Sequence, residues 1–383
     1  MEVPRILVVT NDYPPRVGGI ERALHSLVRQ LPPERVGVYA PRSEGAERFD
    51  AGEPYEIVRD PAGFIWPTPA VSRRVRGAVR ATGAEVVLFG DAMPLAVLGP
   101  GLARRGTPYL VACHGFDYWL SLVSGPHAAL RAVTARASRV VVMGSRFLAR
   151  VVRTAVPSRV PVSVLPLGAD PERFRPDLPT DDLRARHGLE GRPVVSSVGR
   201  LVARKGHDVL IRAMARVRAY APGATLVVVG EGPSRGRLEA LAAEAPPGSV
   251  VFAGEVPEED LPRYYALGDV FALPCRSRLA GLEVEGFGLV FLEAAACGRP
   301  VVVGDSGGAR EALVDGVTGV LVDGRDVARV ADAVGGLLAD PARARAMGAA
   351  GRERVLRWFT WPRIAAVLAG WLREAVERGP RPG

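Results

Sequence analysis

Short runs of apolar residues recur along the chain and are separated by longer stretches with helical spacing. In residues 20–31, for example, apolar side chains recur three and four positions apart, as on one face of a helix. Continuous apolar runs that alternate with such helices predict parallel sheets covered on both faces. The runs span residues 5–11, 35–41, 85–91, 109–115, 139–145 and 162–168, and then 193–200, 224–231, 249–255, 269–274 and 299–305.

The pattern of runs and helices is interrupted once and then restarts. The interruption, residues 168–184, is proline-rich and charged and has neither helical nor strand periodicity. A chain of 383 residues also exceeds the usual size of a single core. We therefore predict an α/β protein of two Rossmann-like domains: residues 1–172, completed by a C-terminal helix at about 363–383, and residues 173–362.

Composition and charge limit the possible binding partners of the protein and its cellular compartment. The net charge of +9 favours anionic partners, although an arginine-rich composition accounts for it equally well. Neither zinc-finger spacing nor an aromatic-basic repeat accompanies the charge, so we do not expect nucleic acid as a partner. Three widely spaced cysteines indicate a reducing, cytoplasmic environment. We expect no membrane-spanning segment, and the first residues are predicted to form a strand and not a secretion signal.

Loops at the carboxyl ends of parallel strands carry ligands, so they hold the candidate chemistry. Gly18 and Gly19 precede a predicted helix, whose free amides could hold an anion; a tight turn is the alternative. His114 ends an apolar strand and is expected to face the same site; a structural role is the alternative. Arg200 and Lys205 bracket a loop that enters a helix, a pattern that suits a diphosphate but also fits a solvated turn.

Two glutamates flank the start of a helix predicted to run from residue 287 to about residue 297. Eight residues turn a helix through about 800°, so Glu293 lies on nearly the same face as the position of Glu285. A glutamate among apolar neighbours is costly to bury without a partner. We predict that Glu285 and Glu293 bind the two sugars of a sugar nucleotide, Glu293 its ribose, while the amides of Gly288, Leu289 and Val290 meet its phosphate.

A second glycine-rich turn offers a competing interpretation. Gly230, Gly232 and Gly236 follow a predicted strand and suggest an NAD-dependent dehydrogenase. Their spacing is one residue too long for the dinucleotide fingerprint, so the same turn could simply line a nucleotide pocket.

Several of these segments together resemble the retaining glycosyltransferases of family 4, which have the GT-B architecture of two facing Rossmann-like domains and an interdomain cleft. The resemblance covers nearly the whole chain. Within the family, residues 10–21, 67–75 and 275–294 are most similar to actinobacterial mannosyltransferases that extend phosphatidyl-inositol mannosides from GDP-mannose. The segments are TNDYPPRVGGIE, SVLPLGADPERFRP, SVGRLVARKGHDVLI, VVVGEGP, EGFGLVFLEAAACGRPVV and SGGAREALVDGVTGVLV.

The resemblance implies a role for each candidate residue. In the first domain, Asp12 lies on the acceptor side and His114 contacts the donor sugar near its 6-hydroxyl group. Arg200 and Lys205 neutralise the departing diphosphate. The remaining implied donor contacts are Gly18 and Gly19 to the diphosphate, Glu285 to the sugar hydroxyls, the amides of Gly288, Leu289 and Val290, Glu293 to the ribose, and the strand end at 249–256, with Ala253 and Val256, beside the base.

The resemblance further implies transfer of a hexose, expected to be mannose, from GDP-mannose to a lipid-linked acceptor. No cofactor and no metal ion is expected, in agreement with the lack of an Asp-x-Asp pair at a strand end. Three alternatives stay open: another UDP- or GDP-sugar with a polysaccharide precursor or small-molecule acceptor, the dehydrogenase, and an inactive sugar-nucleotide-binding subunit.

A basic segment in the first half predicts contact with a membrane. Residues 63–83 place Trp66 ahead of a helix whose arginines lie mostly on one face, a pattern typical of proteins that bind anionic headgroups. A solvated helix face is the alternative. We expect a peripheral protein at the inner face of the plasma membrane. The arginines are Arg73, Arg74, Arg76 and Arg80.

Overall fold

The computed structural model describes residues 3–381, apart from the side chain of Phe116, and divides into two compact units. Unit 1 comprises the chain up to Leu167 together with the segment from Trp361, and unit 2 is Gly168–Thr360. Both divisions fall a few residues before the predicted boundaries at 172 and 362.

Unit 1 is built on a seven-stranded parallel sheet with the order β3-β2-β1-β4-β5-β6-β7. Its central strands are apolar and buried along their whole length, as the continuous apolar runs predict. The strands are β1 (Ile6–Val9), β2 (Val36–Pro41), β3 (Glu56–Asp60), β4 (Val86–Phe89), β5 (Tyr109–Cys113), β6 (Arg139–Met143) and β7 (Val162–Leu165). The helices between them are α1 (Gly19–Val28), α2 (Ala46–Asp50), α3 (Pro69–Thr82), α4 (Gly99–Ala103), α5 (Gly115–Leu122), α6 (Ser124–Thr134) and α7 (Arg146–Val152).

Unit 2 repeats the plan with a six-stranded parallel sheet of order β10-β9-β8-β11-β12-β13. Its strands are β8 (Val194–Val198), β9 (Thr225–Val229), β10 (Val250–Gly254), β11 (Val270–Leu273), β12 (Val301–Gly304) and β13 (Gly319–Val322). Its helices are α8 (Asp181–His187), α9 (His207–Tyr220), α10 (Arg235–Ala243), α11 (Leu261–Leu267), α12 (Leu289–Ala296), α13 (Val327–Ala339) and α14 (Pro341–Trp358).

The last helix, α15 (Trp361–Arg378), belongs to unit 1 and packs against β4, β5, β7 and α1. Pro362 lies in its first turn, where a missing backbone N–H breaks no helical hydrogen bond. Ile364, Leu368 and Leu372 are buried. Arg139 of β6 ties the helix to the sheet through Glu374, at 2.6 Å.

In both units the strand order reverses once, between β1 and β4 and between β8 and β11. Connections on the two sides of such a point leave in opposite directions, which opens a crevice at the carboxyl ends of the strands. The residues that follow β1, β4, β8 and β11 are therefore where a ligand site is expected.

Candidate functional site

The clearest charged cluster of unit 2 joins the loop after β8 to the loop after β11. The Glu285 carboxylate is buried, and its Oε2 atom lies 2.8 Å from Nζ of Lys205 and 2.5 Å from a guanidinium nitrogen of Arg204. Burial alone would raise the pKa of this carboxyl. The charges and hydrogen bonds of Lys205 and Arg204 outweigh burial and hold the pKa below its usual value. Two cations and one anion are thus fixed at the switch point with one positive charge in excess.

Backbone geometry explains why the two loops meet. Gly206 has a φ of +78°, and a Cβ atom there would overlap the carbonyl oxygen of Pro274, just after β11. Only glycine allows this approach, which brings the neighbouring Lys205 against the end of β11. The main chain of Glu285 is held as well, because its N–H donates to Oγ of Ser306 at 3.2 Å.

The amino-acid composition also singles out Lys205, a signal that our sequence analysis missed. The chain has 50 lysine and arginine residues, and Lys205 is the single lysine among them. A compact ammonium and a planar guanidinium are not interchangeable where the space and the direction of the charge are fixed. A lone lysine in an arginine-biased chain therefore indicates a position that needs the ammonium group.

Arg204, and not Arg200, is the second cation on Glu285, while contact of Arg200 with a diphosphate stays a prediction. Arg200 is exposed at the end of β8, whereas Arg204, which the sequence argument passed over, contacts Glu285. The spacing of Arg200 and Lys205 indicated the correct loop. The loop after β8 has no regular periodicity. The sequence therefore did not indicate that residues 203–205 form a short helical turn, which brings Arg204 to the Glu285 carboxylate.

Glu293 lies inside α12 and is buried, with 3% of its surface exposed. Its Oε2 atom accepts a hydrogen bond of 2.5 Å from the Tyr265 hydroxyl of α11. The helix begins at Leu289, after Gly288 with a φ of +85°, and Leu289 and Val290 are half-buried at its first turn. The predicted glycine start and the internal glutamate are thus where the sequence placed them. Their contacts with a nucleotide stay a prediction.

The ends of β8, β9 and β10 are joined by main-chain hydrogen bonds, Gly199 N–H to Val229 O at 3.0 Å and Gly230 N–H to Gly254 O at 2.7 Å. A Cβ atom at Gly230 would overlap the carbonyl oxygen of Gly199, so this glycine is explained by close packing of two strand ends. Ala253 lies within β10 and Val256 just beyond it, both half-buried. Their contact with a base stays a prediction.

In unit 1, His114 and three aspartates gather at the carboxyl ends of β1, β4 and β5. His114 is buried, and its Nε2 atom lies 2.7 Å from the carbonyl oxygen of Gly90, to which it donates. The Asp117 carboxylate accepts the backbone N–H of His114 at 2.7 Å and fixes the start of α5. Asp12 is half-buried after β1.

Burial dominates the ionisation of His114, Asp91 and Asp117. It lowers the pKa of His114, against the Gly90 hydrogen bond and the charge of Asp12, so that the imidazole is neutral at pH 7. Burial also raises the pKa of Asp91 and of Asp117 to about 7 in each case, with backbone hydrogen bonds opposing it. Unit 1 thus offers a neutral imidazole beside carboxyls that are partly protonated near neutral pH.

The glycine pair after β1 lies where the sequence predicts it, at the start of α1. Gly18 precedes the first turn, and a Cβ atom at this position would overlap the Glu21 carboxylate. Burial raises the pKa of Glu21. A carboxylate of the chain itself therefore lies at the helix start that was predicted to bind the donor diphosphate through Gly18 and Gly19.

One arginine of the basic helix α3 has a structural partner. Arg74 is exposed, but its guanidinium lies 2.8 Å from the fully buried Asp60 carboxylate and also donates to the Tyr39 hydroxyl at 3.2 Å. Asp60 needs this partner, because an unpaired buried charge is costly. Of the remaining arginines of α3, Arg73 and Arg80 are exposed and Arg76 is half-buried, and membrane contact by all four stays a prediction.

Phe64 and Trp66, the aromatic residues before α3, are exposed on either side of the buried Ile65. Ile65 is fully buried, and its main chain makes two hydrogen bonds with the Asn11 side chain, at 2.7 and 3.2 Å. Phe64 and Trp66, on either side, are 40% and 63% exposed, with ring centroids 5.0 Å apart. In the described part of the chain, no helix is long and apolar enough to cross a membrane.

Comparison with known proteins identifies the class. Residues 17–173 match the family model of Glycosyltransferase Family 4, and residues 179–354 match that of Glycosyl transferases group 1. Solved structures share the GT-B fold over nearly the whole chain. Sucrose-phosphate synthase from Thermosynechococcus elongatus has a TM-score of 0.79 at 24% identity, covering 98% of this chain and 100% of that one. WaaG, a glycosyltransferase involved in lipopolysaccharide biosynthesis, has a TM-score of 0.66 at 19% identity, covering 95% and 99%.

Curated relatives match along the same length. A GDP-mannose-dependent alpha-(1-6)-phosphatidylinositol monomannoside mannosyltransferase of Mycolicibacterium smegmatis is 44% identical, covering 95% of this chain and 98% of the relative. A monoacylated-acceptor counterpart from Corynebacterium glutamicum is 38% identical, covering 93% and 94%. This chain belongs to the family 4 glycosyltransferases, as the sequence motifs predicted, and the dehydrogenase alternative is wrong.

Proposed function

We propose that the protein transfers mannose from GDP-mannose to a phosphatidylinositol mannoside acceptor, with retention of the anomeric configuration. The observation that carries the proposal is the match of 44% identity along 98% of a relative named for this donor and acceptor. D-inositol 3-phosphate glycosyltransferases also match, but over only 57% of this chain, for example at 37% identity in Xylanimonas cellulosilytica. The full-length match therefore favours the lipid-linked acceptor.

The charged cluster of unit 2 supports a diphosphate leaving group. Lys205 and Arg204, held by Glu285, are proposed to face the diphosphate, with Arg200 at the exposed entrance and the first amides of α12 beside them. Such groups act by stabilising charge that develops in the transition state, at no cost of reorganisation. Both cations contact Oε2 of Glu285, so Oε1 is the oxygen proposed to accept from a donor-sugar hydroxyl.

The proposed reaction needs no base from the protein. The acceptor oxygen bonds to the anomeric carbon while the bond from that carbon to the diphosphate breaks. The acceptor proton passes to a phosphate oxygen on the same face, where the leaving group departs. We propose that no metal ion takes part and that Lys205 and Arg204 neutralise the diphosphate. Positioning of the two substrates supplies much of the remaining acceleration.

In unit 1, Asp12 and His114 are proposed to lie beside the acceptor and the donor sugar. A neutral His114 that donates through Nε2 to Gly90 keeps a fixed ring orientation. We further propose that unit 1 binds the inner face of the plasma membrane through Trp66, Phe64 and the remaining arginines of α3. An exposed aromatic pair beside a basic helix face is suited to anionic headgroups.

The proposed function is tested with purified protein and vesicles that contain phosphatidylinositol monomannoside. We expect GDP-mannose to support transfer and UDP-glucose, UDP-galactose and GDP-glucose to support little, with the activity unchanged by excess EDTA. Transfer from a UDP-sugar, or to a soluble aglycone alone, would contradict the donor and acceptor. Loss of activity in EDTA that Mg²⁺ restores would contradict the metal-free reaction.

The ribose role of Glu293 is separable from a structural role. Glu293→Gln should weaken GDP binding by about 1–3 kcal/mol, the value of a hydrogen bond to a charged group. Tyr265→Phe is the matched control, since it removes the hydroxyl that donates to Glu293 and keeps the carboxylate. Calorimetry should show a smaller loss for this control. Equal losses in the two variants, or parent-like binding by Glu293→Gln, would count against ribose binding.

Membrane binding is tested by co-sedimentation with vesicles of anionic lipid. The triple variant of Arg73, Arg76 and Arg80 to Gln should bind on the order of 100-fold more weakly, as each arginine contributes about 1 kcal/mol near a charged surface. Binding of the parent should fall as salt rises. A control variant loses the same charge elsewhere in unit 1, at Arg104, Arg105 and Arg131. Equal losses in both variants, or a parent that ignores anionic vesicles at low salt, would remove this surface as a membrane site.

A further inference from the structure

Unit 2 has a cavity of about 420 Å³ at the edge of its sheet opposite the Glu285 cluster. Three lining residues, Pro193, Asp269 and Pro300, come directly before β8, β11 and β12, so the cavity lies at the amino ends of these strands. Residues of α13 and of the first turns of α14 close its other side. Its volume is in the range of small-molecule sites. No part of the proposed transfer reaction uses it.

The described lining is strongly cationic. Four arginines, Arg184, Arg192, Arg299 and Arg345, face one acidic residue, Asp269. The Asp269 carboxylate already accepts the backbone N–H of Val194, at 2.8 Å. Three positive charges therefore stay in excess around a half-open cavity, where a cleft lined by one sign of charge attracts an anion more strongly than a flat surface does.

Two of these arginines also have a structural task. Arg184 donates to the carbonyl oxygens of Leu189, Arg192 and Leu267, at 3.2–3.4 Å. Arg192 donates to those of Gly188, Gly223 and Gly248, at 2.7–3.3 Å. The carbonyl oxygens satisfy the hydrogen bonds of the Arg184 and Arg192 guanidinium groups but do not neutralise their positive charges. Both guanidinium groups are thereby held in place, and neither forms a salt bridge within residues 3–381.

Arg299 lines the cavity and is half-buried, so the accessible part of its side chain can meet an acceptor there. Its Nε atom is buried and has no hydrogen-bond partner in the described structure. This atom has no accessible surface, so a ligand in the cavity meets another part of the guanidinium group. An unsatisfied buried donor is costly, and the position of Arg299 is therefore not explained by its contacts within the chain. Arg345 on the first turns of α14 is exposed and adds a second cation at the same cavity.

The rest of the wall is apolar and includes Leu337, Leu338, Pro341 and Ala344. From this pairing of arginines with an apolar wall, we propose that the cavity binds a phosphorylated small molecule, with its phosphate on Arg299 and Arg345 and its carbon skeleton on the apolar wall. This site is separate from the donor site and does not depend on the function proposed above. The cavity lies at the amino ends of β8 and β11. The loops that follow the carboxyl ends of these two strands carry Lys205 and Glu285.

The test measures binding of phenyl phosphate and of inorganic phosphate by calorimetry. All titrations use the full-length chain with Lys205→Ala, which removes the excess positive charge of the Glu285 cluster and is first shown to be folded by thermal unfolding. We expect saturable binding of one molecule of each, with phenyl phosphate tighter by about tenfold or more because its ring buries apolar surface. Arg345→Gln and Arg299→Met should each weaken phenyl phosphate at least about tenfold, a loss of one charged contact.

Arg343→Gln is the matched control, because Arg343 is an exposed arginine of the same turn of α14 outside the cavity lining. It should leave the affinity for phenyl phosphate unchanged. Arg345 is exposed, so the Arg345→Gln variant stays informative even if Arg299→Met fails to fold. Lack of saturable binding, or equal weakening by Arg343→Gln and Arg345→Gln, would overturn the proposal. Neither result would bear on the identity of the donor.

Discussion

The buried carboxylate of Glu285, held between Lys205 and Arg204, is the interaction on which the arrangement of unit 2 depends. A buried charge is costly unless it is paired, and removing one partner of a buried pair typically destabilises a protein by about 3–5 kcal/mol. The pairing therefore locks the loop after β8 to the loop after β11 across the point where the strand order reverses. Close packing at Gly206 makes that contact possible. The result is a fixed cationic surface where a parallel sheet places its ligand.

The single lysine of the chain indicates that this cluster requires an ammonium group. Random drift toward arginine would be expected to replace a lysine that served only as a surface charge, and every other cationic side chain in the sequence is arginine. Lys205 is 8% exposed and lies against a carboxylate, so the space for its head group is limited. A compact ammonium fits such a place, whereas a guanidinium needs a wider planar space.

Periodicity and strand-end loops predicted both parallel sheets, and the family motifs predicted the GT-B fold. Strands β3 and β13 were missed because their apolar runs are short: β3, with sequence EIVRD, offers only two consecutive apolar residues, and β13, with sequence GVLV, only three. The ion pair of Arg74 was missed because helical spacing shows which face a residue occupies but not that a distant buried Asp60 needs a partner. Arg204 and the amino-edge cavity were invisible for the same reason. Both depend on side chains that come together only after the chain has folded.

The account rests on Lys205 as the preorganised cation for the departing diphosphate, and steady-state turnover with GDP-mannose tests this most directly. Lys205→Ala should lower turnover by on the order of 100-fold or more, the scale for losing one oriented charge partner, and Lys205→Arg should restore only part of it. Thermal unfolding would establish that both variants are folded. A folded Lys205→Ala protein with turnover close to the parent would contradict the account.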